Sequence, residues 1–291
     1  MTGLSTKHKL VLAEGMRTKF VRDLSAEEYG LYRRHAAVIR SFSKDHELLR
    51  LVIRAFEAFK SFMKNTVETI RSNAVLNQEA LVDYSFEPGA LILEYLNVTR
   101  IFVDHFKAKI IREHGQDSAE FSNYDKLLKS EFDEFFSYRL LYKLRNYTTH
   151  CGLPLLHFQL KRVPGEHASL IITMKPEELI ASYDGWGAIV GKDLNRKKDD
   201  IYVLPLLSEN VNSIYHVFHT LYGDLYRHNA LDSLDWMCVF LGSNTPEKGF
   251  AIAEGGLDDR GLPSTLEFVI VREMRCLIET EQEFLACSEP S

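Results

Sequence analysis

Apolar residues in the first half of the chain recur every three to four positions, which is the spacing of one face of an α-helix. This pattern predicts four helices, with approximate limits at 25–39, 49–70, 88–114 and 117–152. Ser25 and Glu28 have the spacing of a capping box, Asp117 and Glu120 resemble a second one, and Gly152 is typical of a helix end. Short polar connections favour antiparallel neighbours, so an up-and-down four-helix bundle is predicted.

The pattern changes after Pro154, where apolar and polar residues alternate over 156–161 and the run at 170–174 is also strand-like. A Val-Pro-Gly-Glu turn at 163–166 separates the two runs, which predicts a β-hairpin. Further along, the sequence predicts a short helix at 176–183, a long helix over about 208–240 with a kink in it, a strand at 266–271 and a frayed C-terminus. The expected fold is therefore mainly α, with a helical bundle at 1–154 followed by an α+β half at 155–291 that either packs on it or continues it as one domain.

Composition narrows the classes of function. The chain of 291 residues has 45% hydrophobic residues and a net charge of −6, which argues against broad, nonspecific binding of duplex nucleic acid. Its four cysteines show no CxxC spacing, so we expect reduced thiols and neither a disulfide framework nor a zinc site. No secretion signal or membrane-spanning run is evident, and we expect a cytoplasmic protein without a membrane partner.

The most informative segment is the end of the fourth predicted helix, which carries Arg145, Asn146 and His150. Histidine can exchange a proton near neutral pH, and arginine can donate two hydrogen bonds to one phosphate. Asn146 and His150 are four residues apart and share a helix face, while the helix C-terminus favours a positive charge at His150. Three other Arg–His pairs have similar spacing but lack this combination of a helix end and a following polar residue: Arg40–His46, Arg100–His105 and Arg162–His167.

Local charge also favours this segment. No Asp or Glu occurs between Phe135 and Gly165, although the chain as a whole is acidic. A basic window in an acidic protein is typical of a confined phosphate site, and the alternative is a solvated helix end whose cations complement the helix dipole. The residues predicted to bind RNA beside the catalytic candidates are Arg139, Lys143, His157, Lys161 and Arg162. For His157, the alternative of a place on the wet face of an ordinary hairpin is favoured over RNA binding.

The Arg145–His150 segment resembles the R-x4-6-H motif of HEPN domains, a helical-bundle family that includes many bacterial toxin and defence ribonucleases. The resemblance covers roughly the first half of the chain and is strongest at 139–154. It implies a homodimer in which two motifs form one composite site, with no metal and no cofactor. In that site His150 would act as base or acid, Arg145 would neutralise the phosphate charge, and Asn146 would orient His150 or bind the RNA.

A second function stays open for the same residues. The family also includes non-catalytic helical dimers that bind RNA, a nucleotide or a protein partner, and it implies an antitoxin or a phage-defence protein as partner. Cys151 lies next to His150, but adjacent residues on one helix end point in different directions, which argues against a cysteine–histidine nucleophile pair. Three histidines on the long helix, at 216, 219 and 228, lack the further ligand that a metal site would need.

Overall fold

The computed structural model describes residues 8–14, 17–72, 78–161, 169–242, 249–257 and 263–288. The described helices are α1 (Ala26–Ser72), α2 (Gln78–His114), α3 (Ala119–Glu134), α4 (Phe136–Cys151), α5 (Pro176–Ser182), α6 (Gly187–Arg196), α7 (Val203–Leu221), α8 (Arg227–Leu241) and α9 (Val271–Ser288). The described strands are β1 (His8–Glu14), β2 (Arg17–Leu24), β3 (His157–Lys161), β4 (Ser169–Met174), β5 (Ile201–Tyr202), β6 (Phe250–Leu257) and β7 (Pro263–Phe268). The protein is mainly helical, as predicted, with small antiparallel sheets.

The chain divides into two compact units, one formed by Met1–His46 with Leu221–Ser291 and the other by Glu47–Thr220. The predicted boundary after residue 154 lies within the second unit and does not coincide with this division. None of the described helices combines the length and the hydrophobicity needed to span a bilayer.

The first unit is built around an antiparallel sheet with strand order β2-β1-β6-β7. Leu10, Val11, Ala251 and Ile252 of the two central strands are buried. The strand predicted at 266–271 agrees with β7 to within three residues at each end, whereas β1, β2 and β6 were not predicted. It was also wrong about the C-terminus, because the segment expected to fray forms α9, whose Met274 and Leu277 are fully buried.

Helix α1 begins at the predicted capping box, where the Ser25 backbone N–H donates to Glu28 and the Glu28 N–H donates to the Ser25 hydroxyl. The predicted break before residue 49 is wrong, because the helix continues without interruption to Ser72. The polar residues at 43–47 obscured a continuous apolar stripe, since Phe42 and Leu49 are both buried. The first two predicted helices are therefore one.

In the second unit, α2, α3 and α4 pack against each other. The third predicted helix starts earlier than expected, so Pro88 lies inside α2, and the helix ends before Gly115, as predicted. The fourth is broken at Phe135, which has an extended backbone conformation, and Ser118 caps α3 instead of Asp117. The four-helix bundle stays a prediction, because its first two helices are the single helix α1.

The hairpin predicted after Pro154 is confirmed by β3 and β4, which pair antiparallel and extend to β5 in a three-stranded sheet. The predicted Val163–Glu166 turn lies outside the described residues. The short helix from Pro176 is confirmed as α5, whereas α6 was missed. The long helix also exists, and the predicted kink corresponds to a π-helical segment, Tyr222–Tyr226, between α7 and α8.

Candidate functional site

Helix α4 carries the motif, and its apolar residues fix its orientation. Leu140, Leu141 and Leu144 are buried, and the helix ends at Gly152, whose φ of 87° is a conformation that glycine adopts without strain. Pro154, which follows, is buried. The predicted helix end is therefore confirmed, and it places the Arg145–His150 segment in the last two turns.

The side chains of the three residues predicted to be catalytic have no polar partner among the described residues. Arg145 and Asn146 are half-buried and His150 is exposed. Within the described part of the chain, none of the three side chains makes a hydrogen bond or an ion pair. The Arg145 carbonyl, by contrast, accepts hydrogen bonds from the Thr148 and Thr149 hydroxyls at 2.8 and 3.0 Å, so these two side chains bond back to their own helix.

The structure does not bring Arg145 and His150 together. Because α4 is a regular helix through Cys151, a separation of five residues turns the two side chains roughly 140° apart around its axis. Two different faces of the helix result. We call the stripe of Arg139, Lys143, Asn146, Tyr147 and His150 the histidine face, and the stripe of Tyr138, Leu141, Tyr142 and Arg145 the arginine face.

The histidine face of α4 lies along α5 and α6, and aromatic rings join them. The His150 ring stacks on Tyr183 at 6.3 Å between ring centroids, with 12° between the planes. Tyr147 stacks on Trp186 at 5.6 Å, and Tyr183 meets both of these rings edge-on. The Tyr147 hydroxyl lies 3.1 Å from the hydroxyl of Ser182. His150 is thus held by one face of its ring while both of its nitrogen atoms remain without a hydrogen-bond partner among the described residues.

These aromatic residues were missed in the sequence reading. In the sequence, residues 184–187 have the pattern of a turn that carries an aromatic residue, and nothing there places Trp186 beside the motif. Trp186 is in fact 3% exposed, and its Nε1 donates to the Leu179 carbonyl at 3.0 Å, which anchors the turn to α5. A tryptophan flanked by two glycines could have signalled this, because a large apolar side chain in a tight turn needs a buried location.

The basic window is not free of acidic groups in space, because two of the predicted RNA-binding residues have carboxylate partners. Arg139 donates from Nε to Asp193 at 2.6 Å, and its side chain is only 14% exposed. His157 donates from Nε2 to Glu178, also at 2.6 Å. Helices α5 and α6 supply these two carboxylates from outside the sequence window. Arg139 therefore forms an ion pair and His157 forms a hydrogen bond to a carboxylate, and an RNA phosphate at either residue would compete with these contacts.

The other predicted RNA-binding residues differ in exposure. Lys143 is half-buried, and Lys161 is exposed at the end of β3. Neither makes an ion pair within the described ranges. Arg162 lies outside the described residues. Lys143, on the histidine face, and Lys161 are therefore the two predicted basic residues whose ammonium groups are available to a ligand.

The arginine face borders a small cavity with α2. Arg145 lines this cavity together with Arg100, whose guanidinium lies 5.6 Å from the centroid of the Tyr142 ring and donates from Nε to Asp104 at 2.7 Å. Asn210 of α7 forms another part of the lining. From the sequence, Arg100 was considered only for its spacing from His105, and no function was predicted for it.

No group of three or more His, Cys, Asp or Glu side chains is arranged to hold a metal ion in the parts of the chain that the structure describes. Cys151, Cys238 and Cys276 form no disulfide with a described residue. The Cys151 thiol donates to the Ser182 carbonyl at 3.4 Å. The chemistry available at the end of α4 therefore comes from its arginine, amide, imidazole and lysine groups.

Comparison with protein-family models, with curated proteins and with solved structures finds no match to this chain. The likeness to HEPN domains therefore stays a prediction that rests on the residues at 139–154.

Proposed function

We propose that the protein is a metal-independent endoribonuclease, with a composite site made from the α4 ends of two identical chains. One observation carries the proposal. Arg139 and His157 are bonded to carboxylates within the protein, whereas Arg145, Asn146 and His150 have no polar partner among the described residues. Polar side chains at a helix end that have no hydrogen-bond or ion-pair partner are available to bind a ligand and to react with it.

The reaction follows from the residue types. A ribose 2′-OH loses its proton to an imidazole such as that of His150, and the resulting 2′-oxygen attacks the adjacent phosphorus. Arg145 neutralises the charge that grows on the phosphate oxygens. The bond from phosphorus to the 5′-oxygen breaks, and an imidazolium donates a proton to that oxygen. The products are a 2′,3′-cyclic phosphate and a 5′-OH, and DNA is not a substrate because it lacks the 2′-OH.

The divergence of the two faces of α4 explains why a second chain is needed. One chain supplies a single motif histidine, whereas the reaction uses both a base and an acid. A twofold axis near the end of α4 would place His150 of one chain near Arg145 of the partner subunit. The homodimer thus supplies both missing requirements, a second imidazole and an arginine that faces the first.

The test is cleavage of end-labelled RNAs of mixed sequence by the purified protein in EDTA. We expect cleavage that leaves a cyclic phosphate, and a loss of roughly 10²–10⁴-fold in rate for His150→Ala. His228→Ala, at an exposed histidine of α8, and Arg54→Ala, at an exposed arginine of α1, are the matched controls and should retain activity. Intact RNA under all conditions, or full activity of His150→Ala, would contradict the proposal.

The second candidate is a non-catalytic RNA-binding protein, and the roughly 140° between Arg145 and His150 favours it. In that case Lys143, Lys161 and Arg145 bind RNA that remains intact. Binding without cleavage, weakened by Lys143→Ala, would favour this function over the nuclease.

Either function is compatible with a role beside an antitoxin or a phage-defence protein, as the resemblance implies. Expression of the chain in a bacterial host should then arrest growth if it is a nuclease, and His150→Ala should relieve the arrest. Arrest that persists in this variant would exclude RNA cleavage at His150 as its cause.

A further inference from the structure

We propose that Cys276 and His46 form a reactive thiol site, at which a small peroxide oxidises the cysteine. Both residues belong to the first unit, Cys276 on α9 and His46 on α1. The Cys276 Sγ lies 3.1 Å from the His46 Nδ1. The site involves no residue of α4 and is independent of the proposed nuclease.

The contact between sulfur and nitrogen provides the chemistry. A cysteine reacts as its thiolate, and an adjacent imidazole can take the thiol proton and stabilise the resulting anion as an imidazolium. Because Nδ1 is the ring atom beside the sulfur, the proton of Cys276 can pass directly to His46. The pair therefore has the arrangement of an activated cysteine and its base.

Aromatic rings hold the imidazole in place. The His46 ring stacks on Phe42, one turn earlier on α1, at 6.0 Å between centroids with 26° between the planes. Phe42 is 4% exposed and contacts the Tyr222 ring at 5.0 Å. Tyr222 begins the π-helical segment, a type of helix that occurs frequently at functional sites. His46 thus rests on packed rings while its Nδ1 meets the sulfur.

The other described cysteine side chains lack this environment. Cys151 is exposed, but its thiol donates to the Ser182 carbonyl, which favours the protonated form. Burial raises the pKa of the Cys238 thiol, and the Asp235 carboxylate adds to this effect. Cys276 is half-buried and is the one described cysteine with an imidazole as hydrogen-bond partner. We therefore expect selective reaction at Cys276 with small reagents.

The charged groups around the pair do not favour either form of the thiol. Those of the first unit within about one turn of the pair, together with a nearby ion pair, are Lys44 and Asp45 on α1, Arg272, Glu273, Arg275 and Glu279 on α9, and Arg227 with its partner Glu281. Their formal charges cancel. The direct contact with His46 is therefore what promotes ionisation of Cys276.

The reaction with hydrogen peroxide transfers one oxygen atom. The thiolate sulfur of Cys276 attacks a peroxide oxygen, and an S–O bond forms as the O–O bond breaks. Sulfur loses two electrons and the peroxide gains them. His46 returns the former thiol proton to the leaving hydroxide, so the products are a sulfenic acid and water. A small thiol can then condense with the sulfenic acid to give a mixed disulfide and a second water, which makes the modification reversible.

The first experiment measures alkylation by iodoacetamide at each cysteine of the reduced full chain, by mass spectrometry at pH 7.5 and 6.5. An ordinary thiol titrates near pH 8.5, so its thiolate and its rate fall about tenfold between these values. We expect this fall at Cys151, but less than about threefold at Cys276. In His46→Gln the rate at Cys276 should also fall about tenfold, whereas His35→Gln, a control on the same helix, should behave like the wild type.

The second experiment treats the protein with hydrogen peroxide in the presence of dimedone, which traps sulfenic acids. We expect more trapped product at Cys276 than at the more exposed Cys151, and less at Cys276 in His46→Gln. Expected alkylation without a dimedone adduct at Cys276 would overturn the oxidation.

The reactive thiol is refuted if alkylation of wild-type Cys276 falls about tenfold between the two pH values, or if folded His46→Gln reacts like the wild type. If His46→Gln does not fold, the wild type in concentrated guanidinium chloride replaces it. The same pH dependence at Cys276 in the native and the unfolded chain would then refute the site, and a tenfold fall in the unfolded chain alone would support it.

Discussion

The ion pair between Arg139 and Asp193 should be a main source of stability in the second unit. Arg139→Met removes the charge but retains a side chain of similar length. It deletes the 2.6 Å bond from Nε to Asp193, and also two weaker bonds at 3.4 Å to carbonyls at the end of α3. Asp193 is 25% exposed and would lose its partner while remaining mostly desolvated.

The expected cost lies between two limits. Removing one partner of a fully buried pair costs about 3–5 kcal/mol, whereas an exposed pair contributes about 0.2–1 kcal/mol. Because the Arg139 side chain is 14% exposed and Asp193 is 25% exposed, we expect a loss of about 2 kcal/mol in the free energy of unfolding. In a unit of this size, that loss corresponds to a decrease in Tm of roughly 4–8 °C.

The assay is urea unfolding followed by circular dichroism, with Lys143→Met as the matched control. Lys143 lies one turn further along the same face of α4, but makes no ion pair with a described residue, so its substitution should change stability by no more than about 0.5 kcal/mol. Asp193→Leu combined with Arg139→Met should cost less than the sum of the two single substitutions. Equal stability of Arg139→Met and Lys143→Met would refute the reasoning.

Three further outcomes are expected from the described geometry. Tyr95→Phe should lower the free energy of unfolding by about 1–3 kcal/mol in denaturant titration, because the buried Asn210 carbonyl loses its donor. Gly152→Ala should cost about 1–3 kcal/mol because of the positive φ, whereas Gly30→Ala, in open space on α1, should stabilise by about 0.5–1 kcal/mol; similar values for the two would contradict the assignment. Burial lowers the pKa of His35, so the folded state disfavours its protonated form; its contribution to stability is complete above the unfolded pKa and is lost as pH falls toward the folded pKa, and His35→Gln should flatten this dependence in thermal melts between pH 7.5 and 5.

Local sequence signals predicted some helix limits well and others poorly, for a physical reason. The capping box at Ser25 and the glycine at 152 were found because caps depend on residues within one turn. The break at Phe135 was missed because its side chain continues the apolar period, and no glycine or proline marks it. Its extended backbone is fixed by tertiary packing, which a periodicity does not contain.

The basic window illustrates the same limit for electrostatics. Residues 135–165 contain no acidic side chain, but α5 and α6 supply two carboxylates to this segment. Glu178 is 21 residues from its partner His157, and Asp193 is 54 residues from its partner Arg139. Charge counted along a sequence is a poor measure of charge in space when helices pack side by side. The end of α4 at Gly152 was predicted correctly, because a helix cap depends on neighbouring residues along the chain.

The spacing of five within Arg145–His150 has a structural meaning that the motif alone does not express. On a regular helix, a separation of seven residues would return the two side chains to nearly the same face, at roughly 20°, whereas five turns them roughly 140° apart. A single chain with this spacing therefore presents arginine to one neighbour and histidine to another. In this protein the neighbours are the cavity bordered by α2 on one side and Tyr183 on the other. In the proposed nuclease, binding of phosphate and transfer of a proton would therefore depend on different faces of α4, and a second chain would be needed to direct both toward the same scissile bond.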